Sequence, residues 1–314
     1  MPPPTTPPPA PLSEILLSLI FPWRFILISL SFLPATIRSL PLSSLLSWPA
    51  LQSAWFSRFW AVAGPQVREG AEPRVVPLLE GRVSNGRVVE RGAAHVPGVG
   101  GTVLEIGPGS GMWVSIFSDR YLDSSTSAVA TGASSTSGAS TTNKTTTPAV
   151  GSRSRVTRVY GVEPNKGVHP LLRAQIAAAG LEDVYEVVPV GIEDLASSGR
   201  VAPESVDCIV SVLCLCSIPE PRRNIKELYG YLKPGGRWFV YEHVVRPPSQ
   251  GLFMSLYQRF VNIFWPHAIG GCNIQRDTET WLREAGPWSD IDLVHPPDEV
   301  WFHTLPHVIG ILTK

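Results

Sequence analysis

The chain has 314 residues, of which 44% are hydrophobic and only 17% charged, and its 26 basic and 26 acidic side chains leave a formal charge of zero. Without net positive charge or a basic run it lacks the electrostatic footprint of a nucleic-acid binder, and no nucleic-acid partner is expected. The four cysteines, Cys208, Cys214, Cys216 and Cys272, show no paired metal spacing and read as thiols in a reducing compartment.

Met1 to Pro11 is proline-rich and uncharged, which predicts a disordered start. From Leu12 to Leu33 the chain is nearly all apolar, and these 22 residues are enough to cross a bilayer core of about 30 Å. Pro22 would kink such a helix, and Arg24 would cost about 2.5 to 3.5 kcal/mol near its middle. A second apolar stretch, Leu40 to Trp60, carries Trp48, Trp55, Phe56, Phe59 and Trp60, side chains that favour membrane interfaces. A kinked hairpin or a pair of interfacial helices fits both stretches better than a single span. No basic n-region or cleavage site marks a signal peptide. A helix buried against the following domain is the alternative. Arg38, Arg58 and Arg68 follow the first stretch, which predicts a cytosolic position for the rest. Residues 12–63 are therefore expected to anchor the chain. Residues 64–100, with a surface helix and loop over 66–89, are expected to connect the anchor to a domain spanning 101–314.

Thr102 to Ile106 reads as a buried parallel strand. It runs into Gly107-Pro108-Gly109-Ser110-Gly111, where glycines allow positive φ and a close approach of backbone to ligand. A strand, a glycine turn and a helix N-terminus form a nucleotide site at the carboxyl edge of a parallel sheet, and Met112 to Phe117 is compatible with that helix. A dinucleotide fingerprint would put its third glycine at position 112, which is methionine. The acid that grips ribose hydroxyls should follow about 20 residues on, at the end of the second strand. Val159 to Asn165 looks like that strand end, yet Glu163 lies 52 positions past Gly111; setting aside the 32 residues from Ser124 to Arg155 leaves 20. That Ser/Thr/Ala/Gly tract cannot bury enough apolar surface to order itself and reads as a disordered insertion.

Tyr185 to Val190 is a third strand, followed by Glu193 and Asp194, and Val206 to Leu213 is a fourth, central one. Ile225 to Leu232 reads as helix. Lys233-Pro234-Gly235-Gly236 breaks it and turns the chain into a fifth strand, Arg237 to Glu242. Leu252 to Trp265 has the spacing of a helix with one broad apolar face, serving either the core or a lid over an apolar acceptor pocket. Ile291 to Val294 and Val308 to Thr313 close the set. The fold expected is α/β: a Rossmann-like, doubly wound, mostly parallel sheet of seven strands.

The G-x-G-x-G turn with Glu105 two residues before it resembles the first motif of class I S-adenosylmethionine-dependent methyltransferases. Leu232-Lys233-Pro234-Gly235-Gly236 before an aromatic-rich strand is a signature of the same superfamily. Leu215 to Ile218, Tyr241 to Val244, Gly271 to Ile274 and Pro306 to Gly310 recur in this order in a narrower group. These are the membrane-associated methyltransferase-like proteins that include alkyl thiol methyltransferases of the endoplasmic reticulum and lipid droplets. The resemblance covers about Gly101 to Lys314. It implies S-adenosylmethionine as cofactor, held by Glu105, Gly107, Gly109 and Gly111 at the turn and by Glu163 at the ribose. Glu193 or Asp194 would meet the adenine amino group, and Leu213 would lie against the cofactor. It implies a membrane-associated enzyme on the cytosolic face of the endoplasmic reticulum or a lipid droplet, methylating a small hydrophobic acceptor, with a thiol the first choice. Methylation at oxygen, nitrogen or carbon of a lipid, quinone or secondary metabolite stays open, as does a non-catalytic, membrane-bound cofactor binder or scaffold.

The sulfonium already activates the methyl group, so such a protein must align donor and nucleophile and exclude water. A thiol reacts as the thiolate. His243, just past the fifth strand, is the best-placed base, with a purely structural imidazole as the plain alternative. His295, His303 and His307 are weaker candidates, and His267 and Asn273 could orient an acceptor. Cys214 and Cys216 are most economically core residues. The functional alternative sets Cys216 beside the methyl-donor pocket. The histidines read as scattered, and no metal site is expected.

Overall fold

Along the strand after Gly100, successive side chains are buried on opposite faces, because helices cover the sheet on both sides. The computed structural model describes residues 10–90, 93, 96–118 and 155–314. Met1 to Pro9 and all of the Ser/Thr tract but Arg155 lie outside the described residues, and with them the expectations of a disordered start and insertion. Seven strands form the main sheet: β1 (Gly101–Ile106), β2 (Val156–Val162), β3 (Tyr185–Val188), β4 (Val206–Val212), β5 (Leu232–His243), β6 (Asp290–Val294) and β7 (His307–Thr313). Their order is β3-β2-β1-β4-β5-β7-β6, and only β7 runs antiparallel to its neighbours. The order reverses at β1, which is where an open α/β sheet leaves a crevice at the carboxyl ends of its strands.

The alternation within β1 sorts the core. Val103 packs with Val159, Val210 and Phe239 beneath Val75, Leu78 and Leu79, whereas Leu104 and Ile106 pack with Ile209, Trp238 and Leu228 on the other face. Two expectations differ in detail. The fifth strand begins at Leu232, because Val206 pairs with Leu232 and Cys208 with Arg237, leaving Lys233 to Gly236 as an irregular bulge in β5. Gly235 takes φ +75° there, and its N–H donates to the Lys314 carbonyl at 2.8 Å, so the bulge is held by the chain end. Met112 to Phe117 forms only a tight 3-10 turn over Val114–Phe117. Arg68 donates to the Met112 carbonyl at 2.6 Å and takes the acceptor an α-helix would need.

The N-terminal region is helical: α1 (Leu12–Ser31), α2 (Leu33–Ser39), α3 (Leu42–Leu45) and α4 (Trp48–Leu79). The boundary expected after residue 63 falls inside α4, whose C-terminal half covers the sheet while its N-terminal half carries the buried Trp55 and Phe59. Residues 12–39 are apolar enough to cross a membrane by length and composition, with a mean hydropathy of 2.0. The helix α1 is nevertheless pinned to the domain along its length. Ser18 donates to the Phe302 carbonyl at 2.9 Å, Trp23 to the Tyr257 hydroxyl at 2.8 Å and Ser29 to the Ala268 carbonyl at 2.6 Å. Four more helices follow: α5 (His169–Ala179), α6 (Leu195–Ser198), α7 (Pro221–Tyr229) and α8 (Gly251–Ala268). The expected apolar helix after the fifth strand is α8. It buries Met254, Val261 and Trp265 and leaves Phe253, Leu256, Phe260 and Phe264 exposed beside the exposed Leu16, Leu17 and Ile20 of α1. A last short helix, α9 (Thr278–Arg283), packs against α7.

Candidate active site

At the end of β1 the chain takes left-handed conformations at Gly107 (φ +61°), Gly109 (+57°) and Gly111 (+84°). The three glycines do different things. A Cβ at Gly107 would stand 2.7 Å from that of Cys214, so this glycine lets the turn close against the end of β4. At Gly109 nothing lies nearer than Trp60 Nε1 at 3.6 Å, which leaves bare backbone facing open space. At Gly111 a Cβ would meet Gln175 and Leu172 of α5 at 3.0 and 3.1 Å, a packing constraint. Glu163, immediately after β2, accepts from the backbone N–H of Gly109 at 2.9 Å and of Asn165 at 2.8 Å. These two bonds occupy half of the roughly four acceptor sites of a carboxylate, and the rest stay available to hydroxyls. Burial raises the pKa of Glu163 against those hydrogen bonds. Leu213, at the end of β4, is held at φ +55° with its N–H donating to the Tyr241 carbonyl at 2.8 Å. A non-glycine residue in this region is strained, and such strain clusters at ligand sites.

These residues line a crevice of about 770 Å³, towards the upper end of the ~300–1,000 Å³ usual for small-molecule sites. Gly107, Gly109, Glu163, Glu193 and Leu213 line it together with Cys216 and His243. Glu105, Gly111 and Asp194 are not brought to it. Glu105 lies buried, where it accepts from the Tyr185 hydroxyl at 2.5 Å. Burial raises its pKa to about 7, opposed by that hydrogen bond.

The far end of the crevice gathers side chains that are distant in sequence. Cys216 follows β4, His243 ends β5, and Cys272 follows α8 after Gly270 and Gly271, both at positive φ. Cys272 Sγ is 3.8 Å from His243 Nδ1, and the sulfur and nitrogen donors of all three lie within 4.8 Å of one another. The Asn273 N–H donates to the Cys216 carbonyl at 2.8 Å and ties the two cysteine loops together. The hydrogen bond with Cys272, and then burial, push the Cys216 thiol well above its usual pKa. Next to His243, at 4.7 Å between ring centres, is His307 on β7, stacked on Tyr241 at 4.6 Å. Glu299 Oε1 lies 2.5 Å from His307 Nδ1 and its Oε2 accepts the His307 backbone N–H at 3.0 Å. Burial holds the His307 imidazole neutral, well below its usual pKa. His303 also lines the crevice; His267, Asn273 and His295 do not. The wall over this end is apolar and comes from the N-terminal helices and α8: Phe21, Phe25 and Ile28, then Phe56 and Trp60, then Trp265.

The sequence reading gives Cys272 and Glu299 no functional role and ranks His307 only among the weaker base candidates. It also took the histidines as scattered, although Glu299, His303 and His307 follow one another at intervals of four. That spacing was the available signal. Cys216, His243 and Cys272 each fall within one of the short strings that recur in the narrower group, but nothing in their spacing shows that two loops and the end of β5 meet.

A family model for a methyltransferase domain matches residues 82–286. The thiol S-methyltransferase TMT1B of Rattus norvegicus is 38% identical over 117 residues, 37% of this chain and 46% of that protein. Its Homo sapiens counterpart is 31% identical over 158 residues, 50% of this chain and 62% of that protein. The matched part thus spans about half the length of these curated relatives. Among solved structures, an O-methyltransferase family protein from Burkholderia thailandensis shares the fold, with a TM-score of 0.51 at 11% identity, covering 95% of this chain and 71% of that one. The strand order, the glycine turn and the family match bear out the resemblance drawn from the sequence, and the chain belongs to the methyltransferase domain family.

Proposed function

We propose that the protein transfers the methyl group of S-adenosylmethionine to the sulfur of a small hydrophobic thiol at a membrane surface. The observation that carries this reading is the single crevice with two unlike ends: bare backbone and Glu163 at one, a thiol and imidazole group under an apolar wall at the other. Gly107 and Gly109 let the methionine part of the cofactor lie on the main chain, and the spare acceptor sites of Glu163 take the ribose hydroxyls. Glu193 meets the adenine and Leu213 packs against the donor. The cofactor supplies an activated methyl group. The chain has to align the acceptor, exclude water and see that a thiol arrives as thiolate. His243 and Cys216 stand at that end and meet the acceptor.

The exposed apolar strip of α1 and α8 supports membrane association, with the helices lying in the interface rather than crossing it. A helix hydrogen-bonded to its own domain at Ser18, Trp23 and Ser29 is not free to span a bilayer. Phe21, Phe25 and Ile28 of α1 line the crevice, so an acceptor dissolved in lipid has a direct route in. The location proposed, on the resemblance drawn from the sequence, is the cytosolic face of the endoplasmic reticulum or a lipid droplet.

Full-length protein in lipid nanodiscs, given labelled S-adenosylmethionine and a panel of thiol, phenol, quinone and phosphatidylethanolamine acceptors, tests the reading. Label appearing in the thiol is the expected result. Transfer to another acceptor class replaces the thiol reading. Tight binding of S-adenosylhomocysteine with no transfer to any of them points to a cofactor-binding scaffold.

A further inference from the structure

We infer that Cys216, His243 and Cys272 form a zinc site with its fourth position open to the crevice. Two thiolates and an imidazole are ligands that zinc prefers, and three protein ligands with one exchangeable position is the arrangement of catalytic rather than structural zinc. The metrics are close to those required. Bonds of about 2.3 Å to sulfur and 2.0 to 2.1 Å to nitrogen in a tetrahedron put donors roughly 3.5 to 3.8 Å apart. Cys272 Sγ and His243 Nδ1 are already 3.8 Å apart, and all three donors lie within 4.8 Å, a gap that small side-chain rotations close.

The scaffold around these donors is fixed independently of them. The Asn273 N–H to Cys216 carbonyl bond of 2.8 Å clamps one side. On the other, Arg276 donates to the Leu215 and Ile218 carbonyls at 2.8 and 2.6 Å, which fixes the loop that carries Cys216. All three side chains border the crevice, so the open position faces the space where the acceptor must lie. The second donor group, Glu299, His303 and His307, is a poorer candidate, because Glu299 and His307 already satisfy each other at 2.5 Å.

What the ion does rests on the acceptor being a thiol, whereas its binding does not. The acceptor R–SH binds in the open position as thiolate, and its proton passes to solvent water at the mouth of the crevice. The sulfur lone pair forms the new S–CH3 bond. The C–S bond of the cofactor sulfonium breaks, and its electron pair stays on S-adenosylhomocysteine. The thioether product is a weaker zinc ligand than a thiolate and leaves. His243 then acts as a ligand rather than as a free base.

The test uses full-length protein purified in detergent, stripped with chelator and titrated with Zn2+ or Co2+. Stoichiometric zinc in the purified protein is expected, as is an intense thiolate-to-cobalt charge-transfer band in the Co2+ form. Cys272→Ser and His243→Ala should each weaken Zn2+ binding by more than the roughly 10- to 100-fold lost when only an orienting partner of a ligand is removed. His303→Ala should leave it unchanged, and S-adenosylhomocysteine calorimetry on each variant reports whether the fold is intact. Folded wild type without metal or band, a Cys216–Cys272 disulfide found by mass spectrometry under reducing-cell extraction, or zinc retained in Cys272→Ser overturns the site. Methyl transfer to thiols by metal-free protein overturns the role of the ion and leaves the acceptor reading standing. Stoichiometric zinc without thiol methylation does the reverse.

Discussion

At the donor end of the crevice one five-residue turn and one carboxylate carry the geometry, and every element there follows directly from a strand end. At the acceptor end the wall and the polar group draw on α1, α4, α8 and three loops separated by dozens of residues. The first is main-chain conformation, which tolerates little change in residue type. The second is side-chain assembly, which a different set of loops could rebuild for a different acceptor. On the proposed reading, the cofactor is held mainly by backbone, whereas the acceptor is chosen by what the N-terminal helices and the Cys272 loop place opposite it.

Legibility in the sequence divides along the same line. The parallel strands are legible because a buried parallel strand is a short β-branched run, and a glycine such as Gly180 marks where the preceding helix stops. Glu163 was readable once the Ser/Thr tract was set aside. Glu105 was assigned to the cofactor from its position in the motif, yet its side chain points beneath the turn to Tyr185, and spacing carries no information about that. The N-terminal helices were read as an anchor because composition reports apolarity and not its partner. Trp55, Phe59 and Ala63 of that segment are buried against the domain, with Phe59 fully inaccessible.

The sharpest way to break the comparison is to remove the acceptor wall altogether. Deleting residues 1–63 cuts α4 and takes away Ile26, Trp55, Phe59 and Ala63 from one buried cluster. Loss of a single buried Phe side chain costs about 3 to 5 kcal/mol, and a whole domain is stable by only about 5 to 15 kcal/mol. The truncated chain is therefore expected to lose its cooperative thermal transition, and with it cofactor binding. A truncated protein that melts as wild type and binds S-adenosylhomocysteine normally would show that the helices are an anchor only, detachable from the donor end.

A smaller and more local effect separates the donor end from the fold. In Gly109→Val a branched side chain enters the open space above the turn and a left-handed φ of +57° becomes strained, while no protein atom lies within 3.6 Å of the new Cβ. The folded mutant should lose affinity for S-adenosylhomocysteine by about 100-fold or more, ~3 kcal/mol at 1.4 kcal/mol per decade. Calorimetry checks this, with the melting curve as control. Unchanged affinity would move the donor site away from the turn.

The smallest expected effect concerns the carboxyl that the motif suggested and the crevice does not use. Burial raises the pKa of Glu105 from 4.5 to about 7, so across that window the folded chain keeps a proton that the unfolded chain has released. Folding stability from this group must then decline as pH rises from about 4.5 to 7, and the deficit is complete above it. Glu105→Gln mimics the protonated acid: its amide oxygen can still accept from the Tyr185 hydroxyl, and it never ionises. The variant should match wild type near pH 4.5 and exceed it at pH 8 by about 1 to 3 kcal/mol, a gain of several degrees in melting temperature for a domain of this size. Affinity for S-adenosylhomocysteine should be unchanged, because Glu105 does not border the crevice. A pH-independent difference in melting temperature would show that Glu105 ionises as freely in the folded chain as in the unfolded one. A loss of cofactor affinity would return this carboxylate to the donor site and make the turn act through a side chain as well as through its backbone.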